Sequence, residues 1–560
     1  MNFLENILSR LAQTPSRVVL EELRPSGRVS AKAGELLERV GAARTFLVAA
    51  GLRKGDRCAL LAPNSIAWVA LDLAAMAEGI LVVPLYARQS PGELVAMMRD
   101  SRPSLVCCGD PALREAVCAA WPGAPRLALL DEVFAASPGG EEAMSGQQSP
   151  VSLADTDPVT ILYTSGTSGE AKGVVLTIGN VSHMLSCTTA RLDLLMGQRS
   201  QPDNVFHYLP FCFAGSWILL LSCLSRHSIL RLSTDLAHLA DDLVAAAPEY
   251  CLNVPALLER MRSAVMAQLE ARDGMALKTF RNAQQAWLSR QNGGDPGSKT
   301  GGGMWLAVGR ALIFPEIRKR LGPNLRALIC GSAPLSFETQ RFFMMLEIPV
   351  LQVYGLTETT AICTMDHPEH VEPGAVGPAI PGIEMKLGEG NEILVRGPNI
   401  FAGYWNRPEE TAKALESGWF HTGDQGELTP AGNWRIIGRL KNLLILNSGH
   451  NIAPEPIEEE LARAIPGAQQ VVLFGNARSY LVALVTGPVE QEQAGAAIAK
   501  LNAALPHYRQ IRAWHIEPQP LTIESGSLTA NGKLRREAIA AHFREAIETM
   551  YASSAARKGT

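Results

Sequence analysis

The stretch RCALLAPNSIAWVALDLAAMAEGILVVPL, residues 57–85, decides the fold class. Its two ends, at 58–61 and 80–85, are short apolar runs typical of buried strands. Between them, residues 66–77 have the length and composition of a helix. Strand, helix and strand in this order form a βαβ unit, because two parallel neighbours need a crossover connection. We therefore predict an α/β protein whose parallel sheet is covered by helices.

The alternation of strands and helices continues on both sides of this unit. Helices are predicted at 3–12 and 33–50, and a further strand at 105–107. From residue 376 the pattern changes to short strands separated by Gly/Pro turns, which is typical of a small β-rich unit. Beyond residue 439 the chain has the pattern of a compact α+β module of about 120 residues, the size of an independent domain.

These patterns predict two domains. Residues 1–438 form a large N-terminal domain of layered mixed sheets with helices, and its β-rich subdomain lies at about 376–438. Residues 439–560 form a smaller α+β C-terminal domain. Two segments rich in Gly, Pro, Ser and Gln, at 135–157 and 291–303, are predicted to be surface excursions and not parts of a sheet.

Composition excludes several classes of protein. Apolar residues make up 47% and charged residues 19% of the 560 positions, as in a globular protein with a large buried fraction. The net charge of −4, without a basic block, gives no support for a nucleic-acid partner. The ten cysteines are scattered and form no Cys-x-x-Cys pair, which indicates reduced thiols. With no signal peptide or membrane anchor recognisable at the start, we expect a cytoplasmic protein.

The stretch YTSGTSGEAKGV at 163–174 has the composition of a phosphate-binding loop. Glycines let backbone N–H groups turn toward an anion, while hydroxyls and a lysine add further donors. It is not a Walker loop, which ends in Gly-Lys-Ser/Thr. A flexible Ser/Gly surface loop is the alternative, but the short β-rich runs on both sides favour a tight connection between strands. The candidate phosphate ligands are Thr164, Ser165, Gly166, Thr167, Ser168, Gly169 and Lys172.

Two further motifs follow predicted strands, GSAPL at 331–335 and YGLTET at 354–359. Ligands of open α/β sheets bind at such strand ends, where a glycine lets the backbone approach them. We therefore expect these two motifs to share one site.

Six motifs together resemble the adenylate-forming superfamily, which comprises acyl-CoA synthetases, adenylation domains and luciferases. The resemblance covers nearly the whole chain. The NIAPEPIEEEL stretch and the long insertion ahead of Ala311 look most like the long-chain fatty-acid branch. The six motifs are YTSGTSGEAKG, GSAPL, YGLTET, GWFHTGD at 418–424, GRLKNLLILNSGHNIAP at 438–454 and LTANGKLRR at 528–536.

The resemblance implies an ATP-dependent reaction in two steps. A carboxylate is joined to the α-phosphate of ATP with loss of pyrophosphate, and the acyl group then passes to a thiol. Glu358 would hold Mg²⁺ together with Thr164, and Thr357 would contact a phosphate oxygen. Without the family, a Thr-Glu pair is usually a helix cap. The expected adenine and ribose contacts are Gly331, Ser332, Ala333, Pro334, Tyr354, Gly355, Asp424 and Arg439.

Three residues of the C-terminal part are assigned roles by the resemblance alone. Lys533 would bridge the carboxylate and the α-phosphate in the first step. Lys441 occupies the hinge position about which the C-terminal domain rotates between the two steps. Gly449 would line the tunnel for the pantetheine arm of CoA. Read without the family, both lysines are ordinary surface residues.

The sequence departs from the family at two places. Ala171 stands where a proline commonly precedes the loop lysine, which loosens the loop without removing a donor. Phe213 stands where the LPFCF motif usually has a histidine, so an apolar contact replaces a polar one near the carboxylate. Phe213 and Trp217 are expected to line the acyl pocket, although a core tryptophan is an equal alternative for the second.

The function predicted from these residues is AMP-forming acyl-CoA synthesis from a medium- or long-chain fatty acid, with ATP, Mg²⁺ and CoA. One alternative is an acyl-AMP ligase that loads a separate acyl carrier protein, and another is a catalytically weak nucleotide-binding protein. The expected partners are a small carboxylic acid and CoA or a carrier protein, with peripheral membrane contact as a further option and no nucleic acid.

Overall fold

Two large sheets dominate the computed structural model, which describes residues 1–135, 150–165, 171–197, 199–271, 274–291, 302–529 and 532–556. One has eight strands, in the spatial order Thr364–Met365, Val350–Tyr354, Ala327–Cys330, Tyr250–Asn253, Asp203–His207, Ser228–Ser233, Val18–Arg24 and Gly27–Lys32. The other has seven, in the order Gly403–Tyr404, Ala171–Thr177, Pro158–Ser165, Leu81–Leu85, Arg57–Leu61, Leu105–Cys108 and Arg126–Leu129.

The predicted βαβ unit is confirmed. Strands Arg57–Leu61 and Leu81–Leu85 pair in parallel, with Cys58 opposite Val82. The helix between them, Ile66–Ala77, is almost wholly buried and begins where the Ser65 hydroxyl accepts the Trp68 N–H. A side-chain acceptor at this position satisfies a donor that the first turn of a helix leaves free. The α/β class predicted from 57–85 follows from this pairing.

Helices fill three layers around the two sheets. The middle layer lies between the sheets and shares one hydrophobic core with both, because alternate strand residues such as Cys58 and Leu60 point into it. Ala59 and Leu61 point to the opposite face, into a separate cluster with helix Pro91–Ser101. The middle helices are Phe3–Gln13, Ala33–Ala49, Ile66–Ala77, Ile178–Met196 and Ala214–Ser225.

The remaining helices cover the outer faces or belong to the C-terminal part. Those before residue 440 are Pro91–Ser101, Pro111–Ala120, Leu130–Ala135, Leu239–Ala246, Pro255–Glu270, Gly274–Gln291, Gly302–Val308, Phe314–Leu321, Phe337–Met345 and Pro408–Ala414. Those after it are Glu455–Ala464, Gln491–Ala504, Arg536–His542 and Arg544–Ala556.

A smaller sheet and a separate C-terminal group complete the chain. The four-stranded antiparallel sheet consists of Glu384–Leu387, Glu392–Arg396, Phe420–Leu428 and Trp434–Arg439, in the region predicted to be β-rich. Beyond it lie a two-stranded ribbon, Leu444–Ile445 with Asn451–Ile452, and a sheet of Gln470–Phe474, Leu481–Thr486 and Ile511–Glu517. Residues 444–516 form their own hydrophobic cluster. This separate core supports the proposed division at 438/439.

Some elements differ from the sequence predictions. Strand Val18–Arg24 was not predicted, because Glu21 and Glu22 interrupt its apolar pattern. Both are buried in the structure and both are paired: Arg231 Nε donates to Glu21 at 2.7 Å, and the Ile66 N–H donates to Glu22 at 2.6 Å. The last helical stretch of the chain is divided at Phe543 into Arg536–His542 and Arg544–Ala556. Most of the predicted excursion at 135–157 and of the insertion at 291–303 lies outside the described residues.

Within the described ranges, no helix has both the length and the apolar character that crossing a membrane requires.

Candidate active site

The predicted phosphate loop joins two antiparallel strands. Pro158–Ser165 and Ala171–Thr177 pair along their length, with Thr164 opposite Lys172 and Ser165 opposite Ala171. The predicted strands on both sides of the loop are therefore confirmed, and the connection itself lies outside the described residues. Four of the predicted ligands, Gly166, Thr167, Ser168 and Gly169, lie outside the described residues.

The lysine of this loop is held by an internal carboxylate. Lys172 forms an ion pair with Glu410, and its ammonium nitrogen lies 5.1 Å from the centre of the Tyr404 ring. The hydrogen bond from Lys172 lowers the pKa of Glu410, which keeps that group charged. A cation over an aromatic face gains further electrostatic stabilisation. Lys172 thus has two partners at the end of the loop.

A cavity of about 180 Å³ brings distant motifs together. One end of it is lined by Thr164, Gly331, Ser332, Gly355, Thr357 and Lys533. These residues come from the phosphate loop, from both predicted strand-end motifs and from the C-terminal part. The two strand-end motifs therefore share one site, as predicted. Ala333 and Pro334, which follow Ser332, are exposed beside the cavity.

The sequence suggested that the glycines of the strand-end motifs let the backbone approach a ligand. In the structure they are also needed for packing within the protein. A Cβ atom on Gly355 would lie 2.3 Å from the Ala361 carbonyl oxygen, and one on Gly331 would lie 2.7 Å from Val353 Cγ2. Neither separation is compatible with a side chain. Close packing of the protein against itself therefore already requires glycine at both positions, without any ligand.

Tyr354, Asp424 and Arg439 form a hydrogen-bonded group. The Tyr354 hydroxyl donates to Asp424 Oδ2 and Arg439 Nε donates to Asp424 Oδ1, each at 2.9 Å. The four-stranded sheet places Asp424 opposite Arg439, which sets this pairing. Burial and the nearby Asp424 raise the pKa of Tyr354, so its hydroxyl stays a donor. Three of the predicted adenine and ribose contacts are thus neighbours in the structure.

Glu358 lies in a 3-10 turn at Thr357–Thr359. The Tyr404 hydroxyl donates to its Oε1 at 2.9 Å, and burial, then the charge of Glu358, raise the pKa of Tyr404. A carboxylate that accepts one hydrogen bond has further lone pairs available for a metal ion, as a Mg²⁺ ligand must. The donor set at Glu358, with Thr357 beside it, therefore fits a hard divalent cation.

Lys533 extends from the C-terminal part into the cavity. Its loop is closed by the Thr529 N–H donating to the Lys533 carbonyl at 2.8 Å, and Gly532 takes a positive φ of 74°. Lys533 is exposed to solvent because it lines an open cavity. Protein atoms surround that cavity on its other sides. Burial among protein atoms, and then repulsion from Arg439, lower its pKa, while Asp424 and Glu358 act in the opposite direction. The Lys533 ammonium group therefore lies within electrostatic reach of both Asp424 and Glu358.

An ion pair attaches the Lys533 loop to the N-terminal part. Arg535 Nη2 lies 2.6 Å from Glu93 Oε1, on helix Pro91–Ser101. Because Arg535 is two residues from Lys533, this contact helps to fix where the lysine enters the cavity.

Family comparisons agree with this arrangement. The model described as AMP-binding enzyme matches residues 9–405, and the one described as AMP-binding enzyme C-terminal domain matches residues 441–555. The chain belongs to the AMP-binding enzyme family. Family membership and the relatives below confirm the predicted class, an AMP-forming acid–thiol ligase.

Individual relatives of this AMP-binding enzyme are distant but similar in length. Long-chain-fatty-acid–CoA ligase FadD15 of Mycobacterium tuberculosis is 27% identical over 581 residues, which covers 96% of this chain and 95% of that protein. Long-chain-fatty-acid–CoA ligase 6 of Homo sapiens is 28% identical and covers 88% and 78%. The crystal structure of ATP-bound MatB from Rhodopseudomonas palustris superposes with a TM-score of 0.73 at 24% identity, covering 97% and 99%, and so supports the fold.

The far end of the cavity is lined mainly by apolar groups. Phe213 lines it, as predicted, and its ring lies 5.9 Å from that of Tyr86. Trp217 does not, and this prediction is wrong. It is 1% exposed in the core, where its Nε1 donates to Asp72 Oδ2 at 2.9 Å. The residues of its helix that line the cavity are Ala214, Gly215, Ile218, Leu219 and Ser222, on one face at helical spacing.

Two charged residues of this AMP-binding enzyme were not found by sequence reasoning. Arg191, on helix Ile178–Met196, and Asp366, just after strand Thr364–Met365, both line the same cavity. Neither belongs to a motif. A charged residue directly after a strand end was the available signal for Asp366, and Arg191 gave none.

Lys441 and Gly449 lie away from the residues that line the cavity. Lys441 is in a short turn, Leu440–Asn442, directly after the last strand of the four-stranded sheet. Gly449 is exposed with a φ of 80°, in the turn between the two strands of the ribbon. Their roles as hinge and tunnel residues stay predictions.

Proposed function

We propose that this enzyme activates a medium- or long-chain fatty acid with ATP and transfers the acyl group from acyl-AMP to CoA. The observation that supports this proposal most strongly is the position of Lys533. It enters one cavity with Thr164 and Thr357, and the Glu358 and Asp424 carboxylates act on its charge. The apolar remainder of that cavity supports an acyl chain as the substrate. Relatives named fatty-acid–CoA ligases support the same choice.

The chemistry of the first step explains the charges. A carboxylate must approach the α-phosphate, so two anions meet, and fixed cations lower the cost of that encounter. Lys533 is assigned to the reacting carboxylate and α-phosphate, and Thr164 and Lys172 to the leaving pyrophosphate. Asp424 and Arg439 are assigned to the ribose, and Tyr354 to the adenine. Glu358, with Thr357 and Thr164 nearby, would hold Mg²⁺, which neutralises phosphate charge when it is bound.

The second step needs a different arrangement of the C-terminal part. Lys533 occupies the cavity beside the position assigned to the reacting atoms, so a thiol requires it to move away. Lys441 is proposed as the point of rotation, and the turn at Gly449 as the part that then approaches the thiol. A cytoplasmic location is part of the proposal and is supported by ten cysteines without a disulfide.

ATP–pyrophosphate exchange across saturated fatty acids of graded length tests this proposal. We expect exchange that depends on the acid and Mg²⁺ and peaks at medium or long chains. Adding CoA or a phosphopantetheinylated carrier protein to the same reaction identifies the acceptor, and CoA thioester is the expected product. Absence of exchange with every acid would contradict the enzyme assignment, and thioester only on the carrier would favour the alternative ligase.

A further inference from the structure

Arg191 and Asp366 leave polar atoms without partners in the acyl half of the cavity. Asp366 is 1% exposed, and its Oδ2 accepts the Gln352 N–H at 2.8 Å. Its Oδ1 is buried and has no hydrogen-bond partner among the described residues. The same holds, within the described part of the chain, for Nη1 of Arg191. Arg191 and Asp366 therefore both line the same cavity, and each carries one buried polar atom without a partner among the described residues.

Leaving such atoms unpaired is costly. A buried polar atom without a partner destabilises the fold, and does so more strongly when the group is charged. Arg191 and Asp366 attract each other electrostatically but form no direct ion pair among the described residues. Other polar groups in this half are satisfied: the Thr188 and Ser222 hydroxyls lie 2.9 Å apart and also reach backbone carbonyls. Among the described residues that line this cavity, the buried atoms without partners belong to Arg191 and Asp366.

The two atoms select a ligand group by their chemistry. A hydroxyl can accept from Arg191 Nη1 and donate to Asp366 Oδ1 at the same time. A methylene chain satisfies neither atom, and a second carboxylate would bring an anion next to Asp366. Burial raises the pKa of Asp366 to about 7, as expected of a carboxyl that lacks a full set of donors.

The position of Asp366 sets where the hydroxyl would lie. Asp366 is bonded to Gln352, two residues back along the strand from Tyr354, which is roughly 7 Å at the rise of a β-strand. Apolar residues surround this point, among them Leu192, Leu195 and Met365. A hydroxyl bound at Asp366 would therefore lie beside this strand, among apolar side chains.

We propose that the preferred substrate is a hydroxylated fatty acid, whose chain hydroxyl binds between Arg191 and Asp366. This inference rests on the proposed function and adds the substrate class to it.

A paired substrate panel tests the inference. ATP–pyrophosphate exchange is measured with saturated acids, with acids of the same length that carry one hydroxyl at successive positions, and with the matching dicarboxylic acids. We expect kcat/KM for the best hydroxyl position to exceed that of the unsubstituted acid roughly 10-fold to 100-fold, the effect of one or two hydrogen bonds to charged groups. Equal values for both series, or a preference for dicarboxylic acids, would overturn it.

Two variants and a control assign the preference to these residues. Arg191→Met removes the donor at similar length, and Asp366→Asn keeps the shape but weakens the acceptor. Both should lower the ratio of hydroxylated to unsubstituted kcat/KM about 10-fold. Thr189→Ala, which removes a satisfied hydroxyl on the Arg191 helix outside the cavity, should leave the ratio unchanged. The ratio and the melting temperature of each variant separate lost specificity from lost folding.

The outcomes also separate this inference from the proposed function. Exchange with saturated acids and no gain from a hydroxyl overturns the inference alone. No exchange with any acid of the panel overturns the proposed function and this inference with it. An unaltered ratio in both variants would contradict the assignment to Arg191 and Asp366.

Discussion

Lys533 is the residue on which the proposed first step depends most. Its replacement by alanine removes the cation placed beside Glu358 and Asp424. Loss of such preorganised charge costs roughly 3–4 kcal/mol of transition-state stabilisation, or about 10²–10³-fold in rate. We therefore expect Lys533→Ala to lose ATP–pyrophosphate exchange by this factor.

The same variant should still convert supplied acyl-AMP to thioester at close to the normal rate, because the proposed rotation removes the lysine from the site in that step. Single-turnover assays of each half-reaction measure the two effects separately. An equal loss in both half-reactions would contradict the alternation of the C-terminal part.

Residue roles were predictable from the sequence only where a motif carries them. Lys533 lies in a polar loop without a local signal, so the order of six motifs was needed to select it. Arg191 and Asp366 were missed because an arginine in a helix and an aspartate in a loop are ordinary in themselves. Both residues became candidates only because they line the same cavity. This proximity results from the packing of two segments that are distant in sequence.

At the scale of elements, short buried strands and their order along the chain were predictable. The face that each helix turns toward the core was not. Ile66–Ala77 was correct at both ends because apolar length and a serine cap define it. Helix Ala214–Ser225 is apolar on every side, so its sequence does not distinguish the face that packs in the core from the face that lines the cavity. Trp217 was assigned to the wrong face for this reason.

The contact between these two helices leads to a prediction about stability. Asp72, 1% exposed on helix Ile66–Ala77, has a pKa raised to about 7 by burial, despite the hydrogen bond from Trp217. Because this folded-state pKa lies above the unfolded value of 3.8, the favourable contribution of the group is complete below pH 4 and is lost as pH rises through 7.

Asp72→Asn should therefore stabilise the protein at pH 8, by about 2 kcal/mol, and have little effect near pH 4. The asparagine oxygen still accepts from Trp217 without a buried charge. Melting temperatures at both pH values measure the effect, with exposed Asp131→Asn as the control. A lower melting temperature at pH 8 would show that the charge itself stabilises the helix pair.

At the scale of the whole molecule, Glu93 and Arg535 connect the C-terminal part to the rest of the chain in the arrangement that places Lys533 in the cavity. A partly exposed ion pair contributes about 0.5–1 kcal/mol. Glu93→Ala should therefore slow pyrophosphate exchange about two- to fivefold, while the thioester half-reaction is unchanged or faster.

The matched control is Glu132→Ala, which breaks a similar surface pair with Arg114 that stays within the N-terminal part. Reversing both charges, with Glu93→Arg and Arg535→Glu, should recover part of the exchange rate. If Glu93→Ala slows both half-reactions equally, the pair stabilises the fold and not one arrangement of it.

The ion pair between Lys172 and Glu410 has a consequence for turnover. The loop lysine already has an anionic partner in the protein itself, so ATP bound as proposed would have to displace Glu410 to reach it. The same carboxylate is in place to take the lysine back once pyrophosphate has formed. In the proposed mechanism Glu410 would thus compete with pyrophosphate for Lys172, which would weaken the first encounter with ATP and hasten product release.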